Sequence, residues 1–249
     1  VNIQNNSNST TAFQVQNAVG TNLFSADTTN NLVRVGQYIA PITTPMTFTD
    51  SYTTTPSGTL VNNASYVSGQ YVELNNTSNQ NGAVDYTPTG LTDFDVSFEF
   101  WTSGSADAVY YYAANTSVPI TEGAATGGYS MYYSEYNSRI ALNFNGTDLA
   151  TNSTSGFNDS NWHTARIVRS GNNFKIYLDG VQKIDYNDGN RTLIGTHWGI
   201  GGRSGGSAGT HRVRNYSLDY DVITPGAAPA LTINTVTGQT IAQTGTNST

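Results

Sequence analysis

Carboxylates, three histidines and a polar glycine loop are the parts of this 249-residue chain that could do chemistry. The loop, Gly202-Arg-Ser-Gly-Gly-Ser-Ala-Gly209, lies between two segments that read as strands, Trp198–Gly201 and His211–Leu218. Glycines without a Cβ let a ligand come close to backbone N–H groups, so the loop could bind something; its plain alternative is a flexible hairpin connection. His163, His197 and His211 fall in separate β segments without metal-ligand spacing, which favours a structural role for each. Gly205-Gly-Ser-Ala-Gly209 has the spacing of a serine nucleophile elbow, but no helix follows it as the elbow requires. Asp95 and Glu99 share one face of a strand, about 13 Å apart, beyond the separation that either mechanism of glycoside hydrolysis uses. Glu135 has no acidic partner on its own face. Cysteine is absent, so thiol catalysis and disulfides are excluded.

The elements that must position these groups are strands. The chain has 16 Tyr, 9 Phe and 25 Gly, and no window has a helical period. Phe94–Trp101 alternates in period two, Trp162–Arg169 pairs with Phe174–Leu178 through Asp179-Gly180, and Tyr129–Tyr133 and Arg139–Phe144 continue the series. Ala108–Ala113 is almost continuously apolar and should be a central strand buried on both faces. Trp101, Trp162 and Trp198 read as core or sheet-face residues rather than platforms. The Tyr cluster at 110–112, 132, 133 and 136 would line a cleft only if several rings face one side, since alternation sends about half inward. A net charge of -7 without a basic stripe disfavours nucleic acid, and no apolar run is long enough to insert in a membrane.

Three parts are expected. Residues 1–46 form a stalk-like segment with short strands at Phe13–Gln16 and Leu32–Val35, ended by a break at Pro41 and Pro45. Residues 47–222 form an all-β domain. Residues 223–249 form a Pro/Gly/Ala linker and the start of a further stalk-like segment at Leu231–Asn234. Many strands with Gly and Asn turns specify an antiparallel jelly-roll β-sandwich.

The order Ala106-Asp107-Ala108 before an aromatic strand, Gly127-Gly128-Tyr129 before another, Trp162-His163-Thr164, Tyr177-Leu-Asp-Gly180 and the Gly202–Gly209 loop resembles the concanavalin A-like lectin/glucanase superfamily, closest to L-type (legume-like) lectins. The flanking segments resemble repeats of bacterial surface and fibre proteins. The lectin resemblance implies a sugar cleft made by loops at one end of the sandwich. Asp107 would accept hydrogen bonds from sugar hydroxyls, Gly128 or the adjacent Gly127 would donate a backbone N–H, and Gly206, Ser207 and Ala208 would supply the last loop. Tyr136 is an aromatic candidate for stacking. The chain departs from the family at Tyr132 and Ser134, where L-type lectins carry an acidic pair for Ca²⁺ and a transition metal. No cofactor is therefore expected beyond a weak Ca²⁺ at Glu135 or Asp148.

The reading is a non-catalytic carbohydrate-binding module of an extracellular, cell-surface or fibre protein. Its partners would be glycans or glycoproteins on a cell or host surface, and copies would associate through the stalk segments. A structural or protein-interaction jelly roll is the second reading, and a glycoside hydrolase on the same fold the third.

Overall fold

The computed structural model describes residues 7–16, 18, 22–35, 42–87, 91–105, 107–115, 128–189, 196–224, 231–234 and 240–242. The chain divides into two units, residues 45–222 and a smaller one built from residues 1–44 and 223–249.

In the smaller unit, β1 (Phe13–Gln16), β2 (Asn22–Asp27) and β3 (Leu32–Val35) form a meander. The Asp27 carboxylate accepts from the backbone N–H groups of Thr29 and Asn30, and Asn31 takes φ 54°, which closes the β2–β3 turn.

Residues 45–222 fold as two packed antiparallel sheets. Their strands are β4 (Ile42–Asp50), β5 (Thr59–Asn62), β6 (Ser65–Val67), β7 (Tyr71–Asn75), β8 (Gln80–Tyr86), β9 (Leu91–Gly104), β10 (Ala108–Ala114), β11 (Tyr129–Ser134), β12 (Arg139–Phe144), β13 (Thr147–Ser153), β14 (Trp162–Ser170), β15 (Asn173–Leu178), β16 (Val181–Asn187), β17 (His197–Ser204) and β18 (Gly209–Thr224). The first sheet has the order β13-β12-β11-β10-β17-β8-β5; the second runs β16-β15-β14-β9-β18-β7-β6, with β4 added against β18. The architecture is the all-β jelly-roll sandwich that the strand pattern specifies.

Period two explains the core. Phe94, Val96, Phe98 and Phe100 of β9 point inward, where they meet Ile167, Phe174, Ile176, Tyr111, Tyr133 and Trp198. Each such side chain contributes roughly 1.5–3 kcal/mol through burial. β10 is buried along its whole length. Val109, Tyr111 and Ala113 enter the inter-sheet core, while Ala108, Tyr110, Tyr112 and Ala114 form a second cluster on the other face with Ala83, Tyr132 and Ala141. Buried phenols are paired: Tyr52 with Tyr86 at 2.9 Å, and Tyr133 to the Tyr177 carbonyl at 2.8 Å.

Two expectations are corrected. Pro45 does not break the chain: β4 runs through it from Ile42 to Asp50. Among the described residues that strand pairs with β18 alone, the marginal position in a sheet where a proline is tolerated. Gly202 to Ser204 belong to β17, and the true loop is only residues 205–208. The strand glycines serve packing: a Cβ on Gly201 would overlap the Tyr110 ring, and one on Gly199 would lie 2.6 Å from the Tyr112 hydroxyl.

The last described elements are β19 (Leu231–Asn234) and β20 (Thr240–Ala242). β19 pairs with β3, completing the order β1-β2-β3-β19-β20. The two terminal segments that composition separates are thus one sheet. Among the described residues there is no helix, hence none long and apolar enough to cross a membrane.

Candidate functional site

Asp107 precedes β10 at the end of the sandwich where β17 leads into β18. Its backbone carbonyl accepts from Ser134 Oγ at 2.8 Å, and its carboxylate Oδ2 lies 3.4 Å from Arg203 Nη1. The side chain is 19% exposed, so the carboxylate is held but still meets solvent. Gly205 is the reason it fits: a Cβ there would lie 2.9 Å from Oδ2. The Gly205 carbonyl is fixed by Asn79 N–H at 2.7 Å, and Gly206, Ser207 and Ala208 beyond it are exposed. Tyr136, in the β11–β12 turn at the same end, is 69% exposed. An oriented carboxylate, open backbone and an aromatic ring at one rim can accept and donate hydrogen bonds to a polyhydroxylated ligand.

Gly128 does not join them. It sits beside Ala113 and Ala114, at the far end of β10, roughly 17 Å along the strand from Ala108. Its N–H already donates to Asn145 Oδ1 at 3.0 Å, and a Cβ there would overlap the Ala113 carbonyl. Gly128 is a close-packing glycine of the opposite end. Ala106 and Gly127 lie outside the described residues.

Beneath the Asp107 rim runs a buried polar chain that the sequence did not signal. Asn75 Nδ2 donates to the Gly209 carbonyl at 3.2 Å and to Ser204 Oγ at 2.9 Å, and Ser204 Oγ donates to the Thr77 carbonyl. With its amide so oriented, Asn75 presents Oδ1 to His211 Nδ1 at 2.6 Å, so His211 donates there. His211 Nε2 then meets Glu135 Oε1 at 3.0 Å, both side chains being 1% exposed. Glu135 Oε2 has no partner among the described residues. Ser134 and Glu135 are neighbours in the chain; one holds the Asp107 backbone and the other anchors β11 to β18.

The positions where L-type lectins carry an acidic metal pair hold Tyr132 and Ser134, and both are engaged within the protein. Tyr132 donates to both oxygens of Asp148 at 2.8 Å and accepts from Arg139 Nη2 at 2.6 Å. Burial, then the Asp148 hydrogen bond, pushes its phenol well above the usual tyrosine range. Asp148 also accepts from Asn143 and pairs with Arg139, while Glu135 faces His211. These residues do not fit a hard cation, and among the described residues no three His, Asp or Glu gather as donors.

The catalytic alternatives also find their groups occupied. Asp95 binds Arg166 and Glu99 binds Arg214, at 2.9 and 2.6 Å, on the outer face of the second sheet. His163 bridges Asp179 and Asp159, and His197 binds Asp85, which also takes the Tyr112 hydroxyl. A cavity of about 360 Å³ lined by Phe48, Asp85, Tyr86, Tyr216 and Tyr220 lies away from Asp107, and Tyr86 and Tyr216 are stacked on one another.

Residues 131–217 match the Laminin G domain family model. No curated protein sequence matches the chain. Among solved structures, the lectin from Bauhinia forficata in complex with GalNAc is 14% identical, covers 74% of this chain and 99% of its own, and has a TM-score of 0.58. The VIP36 exoplasmic/lumenal domain, in its Ca²⁺- and mannose-bound form, is 16% identical over 72% of this chain and 96% of its own, with a TM-score of 0.57. The carbohydrate recognition domain of Emp47p is 13% identical over 70% and 95%, also at 0.57. The fold of this chain is concanavalin A-like and lectin-like.

Proposed function

We propose that this chain is a non-catalytic carbohydrate-binding module of an extracellular surface adhesin or fibre, taking sugar at the rim formed by Asp107, Gly206, Ser207, Ala208 and Tyr136. One observation carries the reading: the Asp107 carboxylate is oriented by Arg203 and Gly205 yet open to solvent at a loop-lined end. A sugar needs such an acceptor for paired hydroxyls, backbone donors without a Cβ beside them, and a ring for its C–H face. Its partners are glycans or glycoproteins on a cell or host surface. The lectin-like fold, and lectin neighbours that bind mannose and GalNAc, support this. The buried Asn75–His211–Glu135 chain braces the rim from below. The parts 1–46 and 223–249 are the attachment to a stalk, through which copies associate.

Glycan-array binding by the wild type and Asp107→Ala tests the reading. The variant is expected to lose binding by about tenfold or more, as when a charge-assisted hydrogen bond is removed. Its melting temperature should stay within a few degrees, since the carboxylate is not a core group. Unchanged binding by the variant removes Asp107 from the site; no binding by the wild type favours a structural jelly roll.

A further inference from the structure

The outer face of the second sheet carries a feature that the proposed rim does not use. Trp162 and Trp101 are cross-strand partners on β14 and β9, and Arg212 of β18 pairs with Trp101 on its other side. The Arg214 guanidinium lies 4.0 Å from the Trp162 ring centre. Arg212 lies 4.4 Å from Trp101 and 4.8 Å from Tyr71. Together with Ser51, Thr53, Gln70 and Asn215, these residues line a groove of about 330 Å³.

The arginines are held by one edge each. Glu73 Oε2 accepts from Arg212 Nε at 3.1 Å, and Glu99 Oε2 from Arg214 Nε at 2.6 Å. The glutamates are themselves fixed by Asn76 and Asn215. Among the described residues no hydrogen bond engages the Nη groups of either arginine, although their side chains are 29% and 36% exposed. Two rigid, half-exposed guanidiniums thus offer planar pairs of N–H donors between aromatic rings.

We propose that this groove is a second binding site, for a saccharide residue bearing a carboxylate, such as a uronic acid in an otherwise neutral glycan. A carboxylate matches a guanidinium fork in plane and spacing. The rings receive the sugar's C–H surface, and the hydroxyls and amides of Ser51, Thr53, Gln70 and Asn215 receive its hydroxyls. The charge balance limits the ligand. Glu73 and Glu99 offset the two arginines, and the chain carries -7 overall, so a polyanion is repelled while one carboxylate is accepted at short range.

Tryptophan fluorescence reads the site directly, because Trp198 is only 1% exposed in the core and Trp101 and Trp162 are the remaining indoles. The full chain is titrated with a xylo-oligosaccharide carrying one glucuronic acid, and with the unsubstituted oligosaccharide of the same length. A saturable change is expected with the acidic probe, and binding at least about tenfold weaker with the neutral one. Arg212→Ala combined with Arg214→Ala should abolish it, Arg214→Lys, which keeps the charge and loses the fork, should weaken it, and Asp107→Ala should leave it intact. Equal binding of both probes, no saturable change, or loss in Asp107→Ala overturns the proposal. If the double arginine variant does not fold, full retention of binding by Arg214→Lys overturns it equally.

Discussion

His211 and Glu135 stand 76 positions apart in the chain and 3.0 Å apart in the fold. Nothing in their spacing announces the pair, because a contact between two strand ends leaves no periodic trace. Removing one partner strands the other in a dry interior, so His211→Ala should cost about 3–5 kcal/mol in urea unfolding. Replacing both with apolar residues should cost much less; a single variant losing under about 1 kcal/mol would show that the pair does not brace the rim. His163 makes a second, more exposed clasp between Asp179 and Asp159. Desolvation lowers its pKa, but the hydrogen bonds and charges of Asp179 and Asp159 outweigh this and hold it above 6.5. The stabilisation is therefore complete below pH 6.5 and fades as pH rises through the higher folded value. Asp159 is lowered from 3.8 to about 2, chiefly by Asn161 and then His163, so its share is present above 3.8 and fades as pH falls toward 2. Melting temperatures of wild type and His163→Gln should differ most between pH 3.8 and 6.5, and the difference should shrink as pH rises through the raised His163 value.

Strands with strict alternation, such as β9, β14 and β15, are legible because one face is core and the other solvent. β13 and β16 are harder to read: Thr147-Asp-Leu-Ala-Thr-Asn-Ser153 alternates poorly and lies at a sheet edge, where burial imposes less on the sequence. β4 hides behind its proline. β17 misleads in the other direction, since its glycines suggest mobility but admit the Tyr110 and Tyr112 rings onto the sheet. Gly201→Ala should accordingly destabilise by about 1–3 kcal/mol through overpacking, seen as a lower urea midpoint. A neutral or stabilising effect would instead mean that the strand gives way around the new methyl.

The fold as a whole is readable from strand count and turn chemistry, whereas the site is only half readable. Chain order places Asp107, Gly128 and Ser207 in one series, but β10 carries the path from one end of the sandwich to the other between the first two. Only the Asp107 and Gly205–Ala208 regions meet. Since Tyr132 and Ser134 are spoken for within the protein, millimolar Ca²⁺ or EDTA should shift the melting temperature by less than about 1 °C; a rise of several degrees with Ca²⁺ would reveal ligands among other residues. The smaller unit has a mechanical meaning. β3 and β19 pair antiparallel, with Leu32 opposite Asn234, so the intervening chain leaves and returns through one hydrogen-bonded gate. Tension applied to the two chain ends is carried across that gate and bypasses residues 36–230. The gate loads its bonds in sequence, like a zipper, and until it opens the sandwich bears none of the pull.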